Sequence, residues 1–212
     1  MHFSIPPLFV LMSLGVIVSP GPDILYVLSK GIAHGTRPAL IAALGFACGL
    51  SVHTSLAAVG LSALLMASTI AFTMVKLSGA AYLFYLGIKA FGSHRLVSVQ
   101  PGGQGSGGWL IFRQAFVMNV LNPKVITFFL AFLSQFTRPE LGKLWSQLLI
   151  LGGCFALLAL ALFSLVGIFS SMLGPFILAR PRFIRALDYL AGSFFMLIAI
   201  RLILTGNQPP PV

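Results

Sequence analysis

The amino-acid sequence predicts an all-α integral membrane protein of about six transmembrane helices, arranged as two inverted three-helix repeats with broken first and fourth helices. Three observations carry this. Of 212 residues, 58% are hydrophobic and only 8% are charged, whereas a soluble domain carries roughly 25% charged residues to keep its surface in water. Lipid must therefore be the solvent for most of the surface. Six apolar stretches are each long enough to cross a bilayer, and proline-containing interruptions recur at corresponding places in the first and fourth of them.

The apolar stretches fall at about 4–31, 38–65, 69–92, 110–135, 144–172 and 183–205. The first has no basic segment before it and no small-residue cleavage site after it, so it reads as a retained helix rather than a signal peptide. Lys76 and Lys89 punctuate the third, and Arg180, Arg182 and Arg185 precede or open the sixth. Residues 93–109 form the one hydrophilic, Gly/Ser-rich segment and read as a flexible linker between repeats 1–92 and 110–205. The tail 206–212, with three consecutive prolines, cannot extend a helix.

Lys and Arg at the span ends set the orientation. Lys30, Arg37, Lys89, Arg95, Arg113, Arg180, Arg182 and Arg185 lie at loops one, three and five, against Lys76, Arg138, Lys143 and Arg201 on the other side. That asymmetry predicts a cytoplasmic linker and external termini. It also accounts for the net charge of +10 without nucleic acid, because the basic residues flank apolar runs and form no stripe.

The halves echo each other. Pro20-Gly21-Pro22-Asp23 breaks the first span and Asn122-Pro123-Lys124 the fourth; Leu44-Gly45 resembles Leu151-Gly152, and Leu77-Ser78-Gly79-Ala80 resembles Leu190-Ala191-Gly192-Ser193. Three helices per repeat is an odd number, so the halves must be oppositely oriented, which is a pattern of secondary transporters. Proline within a helix costs roughly 3 kcal/mol, and the backbone groups it frees must meet a cavity or polar partners.

Aligning Pro22 with Pro123 places Asp23 and Lys124 at equivalent repeat positions. Each costs roughly 2.5–3.5 kcal/mol at mid-span and needs a partner or a task. They are expected to pair with each other, or with the ammonium and carboxylate of a zwitterion; snorkelling or a purely structural ion pair is the competing reading. Asn119 and Asn122 are candidate cavity-lining groups, although such residues also glue membrane helices together. His53, inside the second span, is a candidate proton carrier with an ordinary pKa near ~6.5, and equally a neutral imidazole bonded to a backbone carbonyl. Asp188 is explained by Arg185 one turn away. Phe128, Phe129, Phe132, Tyr82 and Tyr85 read as packing or lipid-facing groups, and Gly45, Gly49, Gly60, Gly79 and Gly87 as points of close helix approach, within or between protomers, which leaves a homodimer open.

These motifs resemble the LysE/RhtB family of amino-acid exporters. The resemblance rests on Pro20-Gly21-Pro22-Asp23, Lys30-Gly31, Gly35 with Arg37, Ala43-Leu44-Gly45, Lys76-Leu77-Ser78-Gly79-Ala80-Ala81-Tyr82-Leu83 and Leu86-Gly87 in the first half. In the second half it rests on Phe112-Arg113-Gln114 through Asn119, Leu121-Asn122-Pro123-Lys124, Phe128-Phe129 and Gln135-Phe136. It implies a multi-pass exporter of small amino acids or derivatives in the bacterial inner membrane, driven by protons, that needs no cofactor and is not an enzyme. The Pro-Gly-Pro-Asp and Asn-Pro-Lys segments would be its functional core. Two departures stand out: Ser134 where the family has proline before Gln135-Phe136, and Pro38 where glycine is common after Arg37.

Two other activities fit parts of the sequence. Metal-ion efflux calls for His-rich or carboxylate-rich loops, and this chain has three acidic residues. A membrane thiol-disulfide carrier would use Cys48 and Cys154 in the second and fifth spans, but they form no CxxC motif.

Overall fold

The computed structural model describes residues 4–19, 21–61, 69–92, 107–178 and 181–204. Pro20, most of the 93–109 linker and the 206–212 tail lie outside the described residues. Among the described residues the chain is helical and contains no strand. We number the helices α1 (Pro7–Val18), α2 (Pro22–His34), α3 (Thr36–Leu56), α4 (Thr69–Gly92), α5 (Gly108–Val120), α6 (Pro123–Ala131), α7 (Leu144–Leu178) and α8 (Pro181–Leu204).

Prolines set where several of these helices begin. Pro7, Pro22 and Pro123 each occupy a first helical turn. The missing N–H would be unsatisfied there in any residue, and the ring presets the helical φ. Ser19, before Pro20, is extended at φ −60° and ψ 132°, as a residue preceding proline must be. The first apolar stretch is thus two helices, α1 and α2, meeting at 59°, and the fourth is α5 followed by α6 and a 3-10 turn at 50°. Gly35 closes α2 at φ 84°, a left-handed backbone for which glycine is the residue of choice.

Thr36–Gly60 and Leu144–Leu173 are long and apolar enough to cross a membrane, and each bent pair qualifies as one further span. α4 and α8 are 24 residues each, about 36 Å at 1.5 Å per residue. α3 passes into a π-helical turn, Ala57–Leu61, and the rest of the stretch predicted to 65 lies outside the described residues. α7 instead runs past the predicted 172 to Leu178.

α3 packs against α2, α5 and α7, while α4 lies along α8 and touches α6. Small residues allow these approaches, since lipid offers no hydrophobic drive and van der Waals packing must supply it. A Cβ on Gly45 would strike the Phe112 carbonyl of α5, one on Gly152 would strike Thr54 of α3, and one on Gly87 would strike Met196 of α8. At Gly60 nothing among the described residues lies within 4 Å of a would-be Cβ.

Phe128, Phe129 and Phe132 are buried rather than turned to lipid. Phe128 lies 4.7 Å from both Phe132 and Phe155, centroid to centroid, and the cluster continues through Phe136 to Phe9 of α1. Arg201 of α8 covers the Phe136 ring at 5.5 Å and reaches Met12 Sδ of α1 at 3.1 Å. On the opposite side of the first break, the Tyr26 hydroxyl of α2 donates to Gln114 Oε1 of α5 at 2.8 Å. Gln147 of α7 is buried and clamps the loop before it. Its Oε1 accepts from the Arg138 N–H at 2.7 Å, and its amide donates to the Arg138 and Gly142 carbonyls at 2.7 and 3.1 Å.

Candidate functional site

The two helix breaks meet in the interior, and the polar residues beside them contact one another. Asp23 stands in the first turn of α2, where the positive end of the helix dipole favours a carboxylate. Its Oδ1 accepts from the Asn122 side-chain amide at 2.7 Å, and its Oδ2 from the Asn119 amide at a looser 3.4 Å. Asn122 has a second task as the N-cap of α6, where its Oδ1 accepts the Lys124 backbone N–H at 3.0 Å. One side chain therefore both starts α6 and holds the Asp23 carboxylate.

Lys124 occupies the first turn of α6, the wrong helix end for a cation. Its side chain crosses the first break, and Nζ donates to the Ser19 carbonyl at 3.0 Å. That carbonyl caps the C-terminal, negative end of α1, so the lysine reaches from an unfavourable helix end to a favourable one. Gly21 makes room for this: a Cβ there would sit 3.2 Å from Nζ. Phe195 of α8 lies beneath Nζ at 5.5 Å from its ring centroid, a cation–π contact.

His53 of α3 joins the group through Nε2, 3.1 Å from the Asn119 carbonyl. A carbonyl only accepts, so Nε2 carries the proton in this geometry. The ring also lies 5.6 Å from Phe129. Asn119 in turn fits against Gly49, whose would-be Cβ would fall 2.8 Å from both its Cβ and Oδ1. Among the described residues Oδ1 has no hydrogen-bond partner, an unused acceptor in the interior.

Asp23, Asn119 and Lys124 line one cavity of about 20 Å³, room for roughly one water. Asp23, Asn119, Asn122, Lys124 and His53 are each no more than 8% exposed. Of the residues singled out in the sequence, Gly21, Pro22, Asp23, His53, Asn119, Asn122, Pro123 and Lys124 thus gather around the two breaks, and Pro20 lies outside the described residues. Sequence reasoning missed the Ser19 carbonyl, although the orphan carbonyls at a helix end pointed there. It missed Phe195 altogether, since nothing distinguishes that phenylalanine from its apolar neighbours.

The sequence pattern described as LysE type translocator matches residues 14–206, which includes both breaks and all of these residues. The chain belongs to the LysE type translocator family. This translocator is 31% identical over 190 residues to the homoserine/homoserine lactone efflux protein of Salmonella typhimurium, covering 90% of this chain and 91% of that protein. It is 29% identical over 189 residues to the leucine efflux protein of an Enterobacter species, covering 88% and 89%. An uncharacterized membrane protein of Vibrio cholerae is 32% identical over 180 residues, covering 84% and 86%. No solved structure matches the translocator. It is accordingly a helical membrane protein of an efflux family.

Proposed function

We propose that this chain is a secondary exporter of small amino acids or derivatives (homoserine, threonine and other neutral or basic compounds) across the bacterial inner membrane, in exchange for protons. The observation that carries the reading is that one carboxylate and one ammonium, one from each broken span, line a single interior cavity. The names of two relatives, which refer to homoserine, its lactone and leucine, support the substrate class. The breaks in α1–α2 and α5–α6 support six spans in two inverted repeats.

On this reading the substrate ammonium displaces the weaker amide from Asp23, and the substrate carboxylate takes Lys124 from the Ser19 carbonyl. Binding then exchanges contacts instead of leaving charge unpaired at depth. Protonation of Asp23 from outside removes the charge that holds the ammonium, so substrate leaves as a proton enters.

The test is efflux normalised to membrane protein level. Asp23→Asn and Lys124→Ala should each lower export at least tenfold while leaving folded protein in the membrane. A purely structural ion pair predicts loss of protein in the singles and recovery of both abundance and export in the double variant. Full export by Asp23→Asn, or recovered export in the double, would remove these residues from the mechanism.

A further inference from the structure

Apart from Asp23, Asn119 and Lys124, the cavity lining has a different chemistry. Its wall on α7 is formed by Phe155, Ala159 and Phe163, spaced four residues apart and therefore stacked on one helix face. Alanine between two phenylalanines leaves a notch. Its sides are held in place: Phe155 packs 4.7 Å from Phe128 and 5.6 Å from Phe129, and Phe163 lies 5.6 Å from Phe46. Val16 and Ile17 of α1, Leu50 of α3 and Val125 of α6 complete this apolar lining. None of these side chains can hydrogen-bond or carry charge.

We propose that the notch receives the substrate side chain, and that the translocator takes neutral amino acids with aliphatic side chains rather than basic or acidic ones. The inference rests on the amino-acid reading given above and narrows its substrate class. The charges of the cavity, one carboxylate and one ammonium, are matched by the main-chain ammonium and carboxylate of a zwitterion. The unused Asn119 Oδ1 is a further acceptor for the ammonium, which has three donors. A third charge on the substrate would then lie against phenyl and aliphatic groups, where it finds no partner. The chain holds two other acidic residues. Glu140 is exposed in the Pro139–Leu141 turn, and Asp188 stands seven residues before Phe195 on α8, about 10 Å along the helix axis. Ala159 fixes the depth of the notch and thereby the size of side chain admitted.

Purified protein in liposomes loaded with equal concentrations of radiolabelled leucine, alanine, lysine or glutamate would test this, with efflux followed under an imposed proton gradient. Leucine and alanine should leave, with lysine and glutamate below one tenth of the leucine rate. Ala159→Leu, which fills the notch, should lower the leucine-to-alanine efflux ratio at least tenfold. Ala159→Gly, a smaller perturbation should the leucine variant not fold, should raise phenylalanine efflux relative to leucine. Lysine or glutamate leaving as fast as leucine overturns the substrate class while sparing amino-acid export. Unchanged ratios in folded Ala159 variants overturn the notch. If no amino acid leaves, the export reading fails and takes this inference with it.

Discussion

Asn122 joins two roles that different substitutions separate. Its Oδ1 caps α6 and its amide holds Asp23. Asn122→Ala removes both, costing about 1 kcal/mol for the cap and about 1.5–3 kcal/mol for the bond to a charged group. Asn122→Ser keeps a capping oxygen but loses the amide. The serine variant should accumulate in the membrane more than the alanine variant, yet show export reduced to a similar extent. Abundance by immunoblot and efflux measured on the same cells check this; equal abundance of the two would show that the cap matters little. The polar residues around this site were legible in the sequence because a carboxylate, a lysine, two asparagines and a histidine inside apolar runs are conspicuous. The Phe155–Ala159–Phe163 notch was not legible. Phenylalanine and alanine at helical spacing look the same whether they face a cavity, a neighbouring helix or lipid, and only packing tells these apart.

At the scale of helices, the breaks were the most readable feature. Proline inside a helix removes a hydrogen bond and its ring opposes the preceding turn, so Pro22 and Pro123 announced breaks in the first and fourth stretches. The ends of α3 and α7 were less readable. Hydropathy is continuous past Leu56 and past 172, so it gives no stop signal; the π-helical turn and the extension to Leu178 depend on local backbone pairing. The loop before α7 depended on a residue that sequence reasoning passed over. Gln147→Ala would remove three hydrogen bonds, to the Arg138 N–H and to the Arg138 and Gly142 carbonyls, at about 0.5–1.5 kcal/mol each. Detergent-solubilised Gln147→Ala should melt several degrees below the parent protein. Gln147→Glu, which keeps the acceptor for the Arg138 N–H and loses both donors, should not recover the parent value. An unchanged melting temperature in the alanine variant would show that the loop is held by other contacts.

At the scale of the molecule, orientation follows from the distribution of positive charge. The basic residues concentrate at Lys30, Arg37, Lys89, Arg95 and Arg113 and at the start of α8, and the positive-inside rule predicts a cytoplasmic location for that side. In a Cys48→Ser, Cys154→Ser background, a single cysteine at position 99 should resist an impermeant maleimide in intact cells and react once the cells are opened. Labelling in intact cells would invert the molecule and exchange the entry and exit sides of the cavity.

The cavity between the two breaks has room for about one water, and contacts among the described residues flank it along the helices. The Tyr26–Gln114 hydrogen bond lies on one side; Phe9 against Phe136, with Arg201 and Met12, lies on the other. A space of that size cannot contain a continuous file of water. On the proposed function, solute crosses only when one closure opens while the other holds, and flux is counted in turnovers rather than in current. The two closures are unequal in kind: one is a single hydrogen bond at the surface, the other a block of interlocked rings. On the proposed function, a cell can therefore carry many copies of this protein without short-circuiting its ion gradients.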